Sequence, residues 1–242
     1  MQNTIFTADN NTNLSVKNEA NAASAEQFQK KIEQLQILQN GILSVIADIA
    51  ENRNDETGSH IERTALFLKI LIAAMMEHKI YPLELKKFDL DLICSSARLY
   101  DIGKITISDN VLNKPGKLTN EEFETIKTHA ARGEHIIDKM ILRTGDGFEF
   151  LHNAKLFAGY HHERWDGKGY PHRLDRLNIP VQGRIMAIID VYNALVSERP
   201  YKNPFTPEEA EKIIIDSTGE MFDPLIVDIF NEVRGQFRAA VK

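Results

Sequence analysis

The stretch His161-His162-Glu163-Arg164-Trp165-Asp166-Gly167-Lys168-Gly169-Tyr170-Pro171 places two adjacent imidazoles after an apolar-leaning run, Leu151 to Tyr160. The chain then enters a turn-forming segment containing two glycines and a proline. A histidine pair at a helix end is, by itself, ordinary surface. Ligand types elsewhere change that reading. Asp190 stands among Ile185, Met186, Ile188, Ile189, Val191 and Leu195, where an ionised carboxylate is costly unless paired or bound to a cation. Asp101 poses the same question at the end of another apolar stretch. Glu56, His60, Asp101, His129, His161, His162 and Asp190 together offer four imidazoles and three carboxylates from five chain segments. Such a mixture suits iron, manganese, zinc or nickel and not a thiolate-selected metal. Seven candidates exceed the needs of one tetrahedral ion and suggest at least two ions sharing a bridging carboxylate. Three carboxylates against two divalent ions leave about one positive charge, enough to attract a phosphodiester and hold a hydroxide. Bridged ions also clamp the attacking and leaving oxygens of an in-line displacement, the chemistry of phosphodiester hydrolysis. Lys104, Arg184, Arg199 and Lys202 are nearby basic groups able to hold non-bridging oxygens. Each of these, taken alone, reads more simply as a solvated surface charge.

The elements that must position these residues read as helices. Residues 1–25, rich in Asn, Ala, Ser and Thr, read as a disordered arm because they offer little apolar surface to offset their ordering entropy. Over residues 26–52, Phe28, Ile32, Leu35, Leu38, Ile42, Val45 and Ile49 recur at steps of three or four, one stripe of an amphipathic helix. That stripe packs on its own domain or on a second copy as a coiled coil. Residues 53–242 then form the domain that carries the candidate ligands. A helix beginning near His60 carries Ile61, Ala65, Leu68, Ile72 and Met75 on one stripe; Glu56 and His60 share a face if it starts early enough. A third helix, about Leu83 to Leu99, leads to Tyr100-Asp101-Ile102-Gly103, with Gly103 as its stop. Thr119 and Glu122 form a capping box opening a helix to about Leu142, which carries His129. A very apolar helix spans about Val181 to Val196, a second capping box lies at Thr206 and Glu209, and Asp223-Pro224 starts the closing helix. Strand alternation and a glycine-rich phosphate loop are lacking, so the fold class is all-α.

The 242 residues, 43% of them hydrophobic, suffice for one large domain with an extension. A single cysteine, Cys94, excludes an intrachain disulfide framework and suits a reducing compartment. The net charge of -6 gives no general attraction to a nucleic acid polymer, and no apolar run approaches a membrane span. The expectation is a cytoplasmic protein.

These residues resemble the HD-GYP family of bacterial cyclic di-GMP phosphodiesterases, a branch of the HD metallohydrolases. The likeness covers about Ala50 to Phe230 and rests on Glu56-Thr57-Gly58-Ser59-His60, Asp101-Ile102-Gly103-Lys104, Lys114-Pro115-Gly116-Lys117-Leu118-Thr119, His129 with Gly133, the whole His161 to Pro171 turn, Asp190, and Arg199-Pro200-Tyr201-Lys202. It implies an HD-domain-like helical bundle holding two or three divalent transition-metal ions, iron or manganese favoured, that hydrolyses the second messenger cyclic di-GMP to a linear dinucleotide or GMP. By that resemblance Glu56 admits a third ion, Lys104 and Lys202 meet substrate phosphate, and Tyr170 belongs to the substrate-facing lip. One departure stands out. Where the family has its His-Asp pair, this chain has Tyr100-Asp101, a phenol in place of an imidazole. A tyrosine there can ligate ferric ion, hydrogen-bond to metal-bound water, or fill the space and leave a weaker site, which opens the alternative of a nucleotide receptor that has lost turnover. No receiver domain is fused within these residues, so input is expected through the N-terminal arm and helix or through a signalling protein partner, and the helix is the expected seam of a homodimer.

Overall fold

Every element of the structure, a computed structural model that describes residues 5–51, 59–198 and 203–241, is helical apart from one isolated bridge between Thr218 and Phe222. The first helix, α1 (Ile5–Glu51), runs through the predicted amphipathic segment and back over the stretch whose composition points to a disordered arm. That stretch holds neither proline nor glycine, so nothing in it breaks a helix. The chain forms two compact units, Met1–Leu43 and Ser44–Lys242. On α1, Phe28, Leu35, Ile42 and Ile49 are exposed.

In the second unit, α2 (Ser59–Glu77), α3 (Pro82–Leu85), α4 (Leu90–Ala97), α5 (Asp109–Leu112), α6 (Asn120–Thr144), α7 (Glu149–Tyr160), α8 (Val181–Val196), α9 (Pro207–Asp216) and α10 (Pro224–Val241) follow in order, with 3-10 turns at Ile102–Thr106 and Arg176–Asn178. Burial decides the arrangement. Residues Val181 to Ile189 of α8 are buried without a break, so this helix packs against α2, α7, α9 and α10. Phe67 of α2 stacks on Phe237 of α10 at 4.5 Å between ring centroids and meets Tyr192 of α8 edge-on at 5.3 Å. Offset and edge-on aromatic pairs add to the burial that holds these three helices together. Against α7 pack α4 and α6.

Both predicted capping boxes are present, Thr119 with Glu122 and Thr206 with Glu209, each hydroxyl accepting from the N3 amide. Two readings change. The helix expected over Leu83 to Leu99 is broken: the Asp89 carboxylate accepts from the amides of Asp91 and Leu92, capping a fresh helix instead of continuing the old one. Gly103 is no helix stop either. It lies inside the 3-10 turn pressed on α6, where a Cβ would overlap the His129 carbonyl and come within 2.7 Å of the Gly133 amide nitrogen. A glycine is required because two backbones touch.

Candidate metal centre

His161 is the C-cap of α7, and its position there follows from the apolar face of Phe157 and Ala158 that buries the last turn. Its Nδ1 donates to the carbonyls of Phe157 and Ala158, at 3.0 and 3.1 Å. On α6, His129 Nδ1 likewise donates to the Ile126 carbonyl at 2.7 Å. Carbonyls only accept, so in each neutral imidazole the proton sits on Nδ1 and the lone pair on Nε2. Those two Nε2 atoms face each other at 3.2 Å. Asp101 Oδ1 joins them at 3.3 Å from His129 and 3.7 Å from His161, buried and without a hydrogen-bond partner. Three electron-pair donors converging with no proton between them is an arrangement a cation satisfies. His162 completes it: one ligand atom each from His129, His161 and His162 lie within 4.8 Å of one another.

The electrostatics point the same way. Burial pushes the His161 imidazole down to about 4, against the opposing pull of Asp101. Burial also holds His162 well below the ordinary histidine range, aided by His161 and His129. Both are therefore neutral at pH 7, the form that ligates metal. Burial opposes ionisation of Asp101, yet the Lys104 ammonium 2.7 Å away holds its carboxyl well below the usual range. Asp101 remains an anion.

On the other side of Asp101, the Tyr100 hydroxyl lies 3.1 Å from His60 Nε2 and 3.3 Å from Asp190 Oδ1. The Tyr100 ring stands edge-on to His161 at 5.3 Å, so the two groups of residues adjoin. Asp190 is half-buried rather than enclosed, and the phenol is one of its partners. Of the predicted set, His60, Asp101, His129, His161, His162 and Asp190 thus come together, with Lys104 paired to Asp101. Glu56 and Lys202 lie outside the described residues.

Arg184 does not belong here. Its guanidinium is buried, donating to the Ile179 carbonyl, to Asp223 at 2.9 Å and to Glu84 at 2.6 Å, and lying 4.3 Å over the Tyr81 ring. The expected phosphate contact is replaced by an ion-pair network that joins α3, α8 and the start of α10.

Tyr170 lies next to the histidine cluster. Its ring lies 4.8 Å from that of His162 and its amide donates to the His162 carbonyl. It borders a cleft of about 800 Å³ whose walls include Lys127, Arg132, Lys168 and Arg173. Two residues here were not singled out from the sequence. Lys127 places its ammonium 5.4 Å from the Tyr170 ring centroid. Glu163, fully interior, accepts from the amides of His172, Arg173 and Leu174, which folds the turn back beside the histidines. Its place directly after the histidine pair was the available signal.

With the geometry in place, the comparison with known proteins is decisive: the HD domain matches residues 44–226. This chain belongs to the HD-domain family. A probable cyclic di-GMP phosphodiesterase of Vibrio cholerae is 40% identical over 197 residues, 81% of this chain and 45% of that protein. A cyclic di-GMP phosphodiesterase of the same organism is 42% identical over 194 residues, 80% of this chain and 39% of that protein. Its 3'3'-cGAMP-specific phosphodiesterase 2 is 36% identical over 194 residues, 80% of this chain and 34% of that protein. The chain spans less than half the length of these relatives. Among the described residues, no helix is long and apolar enough to cross a membrane.

Proposed function

We propose that this HD-domain chain hydrolyses cyclic di-GMP to the linear dinucleotide pGpG, or on to GMP, in the cytoplasm. The observation that carries the reading is the convergence of the His129 and His161 Nε2 atoms on the unpartnered Asp101 oxygen, beside a basic cleft. The names of the relatives support the substrate class. His129, His161, His162 and Asp101 hold a divalent transition metal; the imidazole–carboxylate donor set suits iron, manganese, zinc or nickel, and the family resemblance favours iron or manganese. The number of ions, two or three by the family resemblance, depends on what His60, Asp190 and Glu56 hold. A bound divalent ion supplies Lewis-acid activation of the phosphodiester and of the attacking water. The protein's own groups do the rest. Lys104 keeps Asp101 ionised, Lys127, Arg132 and Arg173 offer positive charge to the two phosphates, and Tyr170 bounds the site where a base enters. Lys202 is retained as a phosphate contact on the strength of the resemblance.

The test is direct. Manganese- or ferrous-loaded protein incubated with cyclic di-GMP should yield the linear dinucleotide, resolved by anion-exchange chromatography, and His162→Ala should cut the rate by more than ~100-fold. Absence of product with either ion overturns the enzyme reading. A second reading, a receptor that binds the nucleotide without turning it over, is favoured by one observation: a phenol, not an imidazole, faces His60 and Asp190. Its signature is tight binding with no product.

The partner of the α1 stripe is proposed to be a second copy of the chain. Phe28, Leu35, Ile42 and Ile49 fall seven residues apart and are exposed, with Leu38 and Val45 on the adjoining heptad position, the seam of a two-stranded coiled coil.

A further inference from the structure

The Tyr100 hydroxyl has two neighbours of different kinds. Asp190 Oδ1, as a carboxylate oxygen, only accepts, so it takes the single hydroxyl proton across 3.3 Å. His60 Nε2, 3.1 Å away, must then donate its own proton to the phenol oxygen. This relay has a chemical consequence: an Nε2 that carries hydrogen has no lone pair to give a metal. His129 and His161 are in the opposite state, their protons held on Nδ1 by backbone carbonyls and their Nε2 lone pairs turned inward. Ligation would further require His60 and Asp190 each to stand ~2.0–2.2 Å from a shared ion. Here the phenol oxygen lies between them at hydrogen-bond distance. The ring itself is 2% exposed, held edge-on to His161 and packed in the core, so it does not swing aside to admit an ion.

We infer that Tyr100 takes the place of a metal ion between His60 and Asp190, so that the protein binds one divalent ion, at His129, His161, His162 and Asp101, where its resemblance to two- and three-metal enzymes implies more. This inference rests on the metal reading of the histidine cluster given above. The His60–Tyr100–Asp190 relay makes Tyr100 a positioning residue: it ties α2 to α8 at the edge of the site, the mechanical task a shared ion would otherwise perform.

The experiment is elemental analysis of the full chain after reconstitution with manganese and removal of excess, comparing wild type with Tyr100→His, Tyr100→Phe and His129→Ala, with the melting temperature of each taken alongside. Expected are about one ion per chain in wild type and in Tyr100→Phe, about two in Tyr100→His, and loss of the ion in His129→Ala. Tyr100→Phe keeps the ring in its pocket, so the inference stays testable should Tyr100→His fail to fold. Two or more ions in wild type overturn the inference while leaving the histidine site standing. Visible phenolate-to-iron absorption in ferric-loaded wild type, lost in Tyr100→Phe, also overturns it by making Tyr100 a ligand. If neither wild type nor Tyr100→His retains an ion, the metal reading of the cluster fails and this inference with it.

Discussion

At the scale of single residues, proton placement organises the site. The carbonyls one turn before His129 and His161 hold their Nδ1 protons, so each neutral imidazole turns its Nε2 lone pair inward. The cost of that arrangement appears in metal-free protein. Burial sets the folded His161 at about 4, below the ordinary value of 6.5. As pH falls through about 6.5 the unfolded chain takes up a proton that the folded chain refuses, so stability drops until about pH 4 and then levels. The contribution is on the order of 3 kcal/mol. Thermal melts of metal-free protein should show this decline across pH 6.5 to 4, and His161→Gln should make it shallower, leaving the part that His162 and Asp101 contribute. Asp101 acts in the same direction, since a carboxyl held low also loses its stabilising charge in acid.

Elements bring these residues together by touching at their backbones. The 3-10 turn after Tyr100-Asp101 lies against α6 with Gly103 on the His129 carbonyl, and this contact sets the spacing between Asp101 and His129. Backbone atoms cannot move aside as a flexible side chain can. Gly103→Ala is therefore expected to cost about 3 kcal/mol, a Tm fall of roughly 6–12 °C in a domain of this size, and to reduce metal retained after dialysis. A variant that melts and binds metal like wild type would show that the contact is not what spaces the ligands. Arg184 shows the converse. It was legible as a basic residue near Asp190, but six positions along an α-helix turn a side chain roughly 240° around the axis, which leaves Arg184 facing Glu84 and Asp223 and not the cluster.

For the whole molecule the open element is α1, whose apolar seam the described structure leaves exposed. Dimerisation should place the mass in sedimentation at twice 27.5 kDa, and the pair Leu35→Asp with Ile42→Asp should return it to the monomer value while the second unit keeps its metal. A monomeric wild type at micromolar concentration removes the coiled-coil proposal. The second unit is held by a different device: an apolar α8 against α2 and α10, and an ion-pair network in which the buried Arg184 and Asp223 meet the exposed Glu84.

By itself the sequence determined the all-α class, both capping boxes, the α8 boundaries and which residue types were on offer as ligands. These are local properties: helical period, caps and turn residues act within a few positions, and residue types can be read off directly. Tertiary structure alone decided that Asp89 restarts a helix, that Gly103 serves a backbone contact, that Arg184 faces away from the site and that Glu163 supports the turn. It also decided which groups the imidazoles meet, because His60 finds a phenol forty residues along the chain while His129 and His161 find carbonyls within the turn before them. Such pairings depend on how distant segments pack, and no spacing along the chain encodes them.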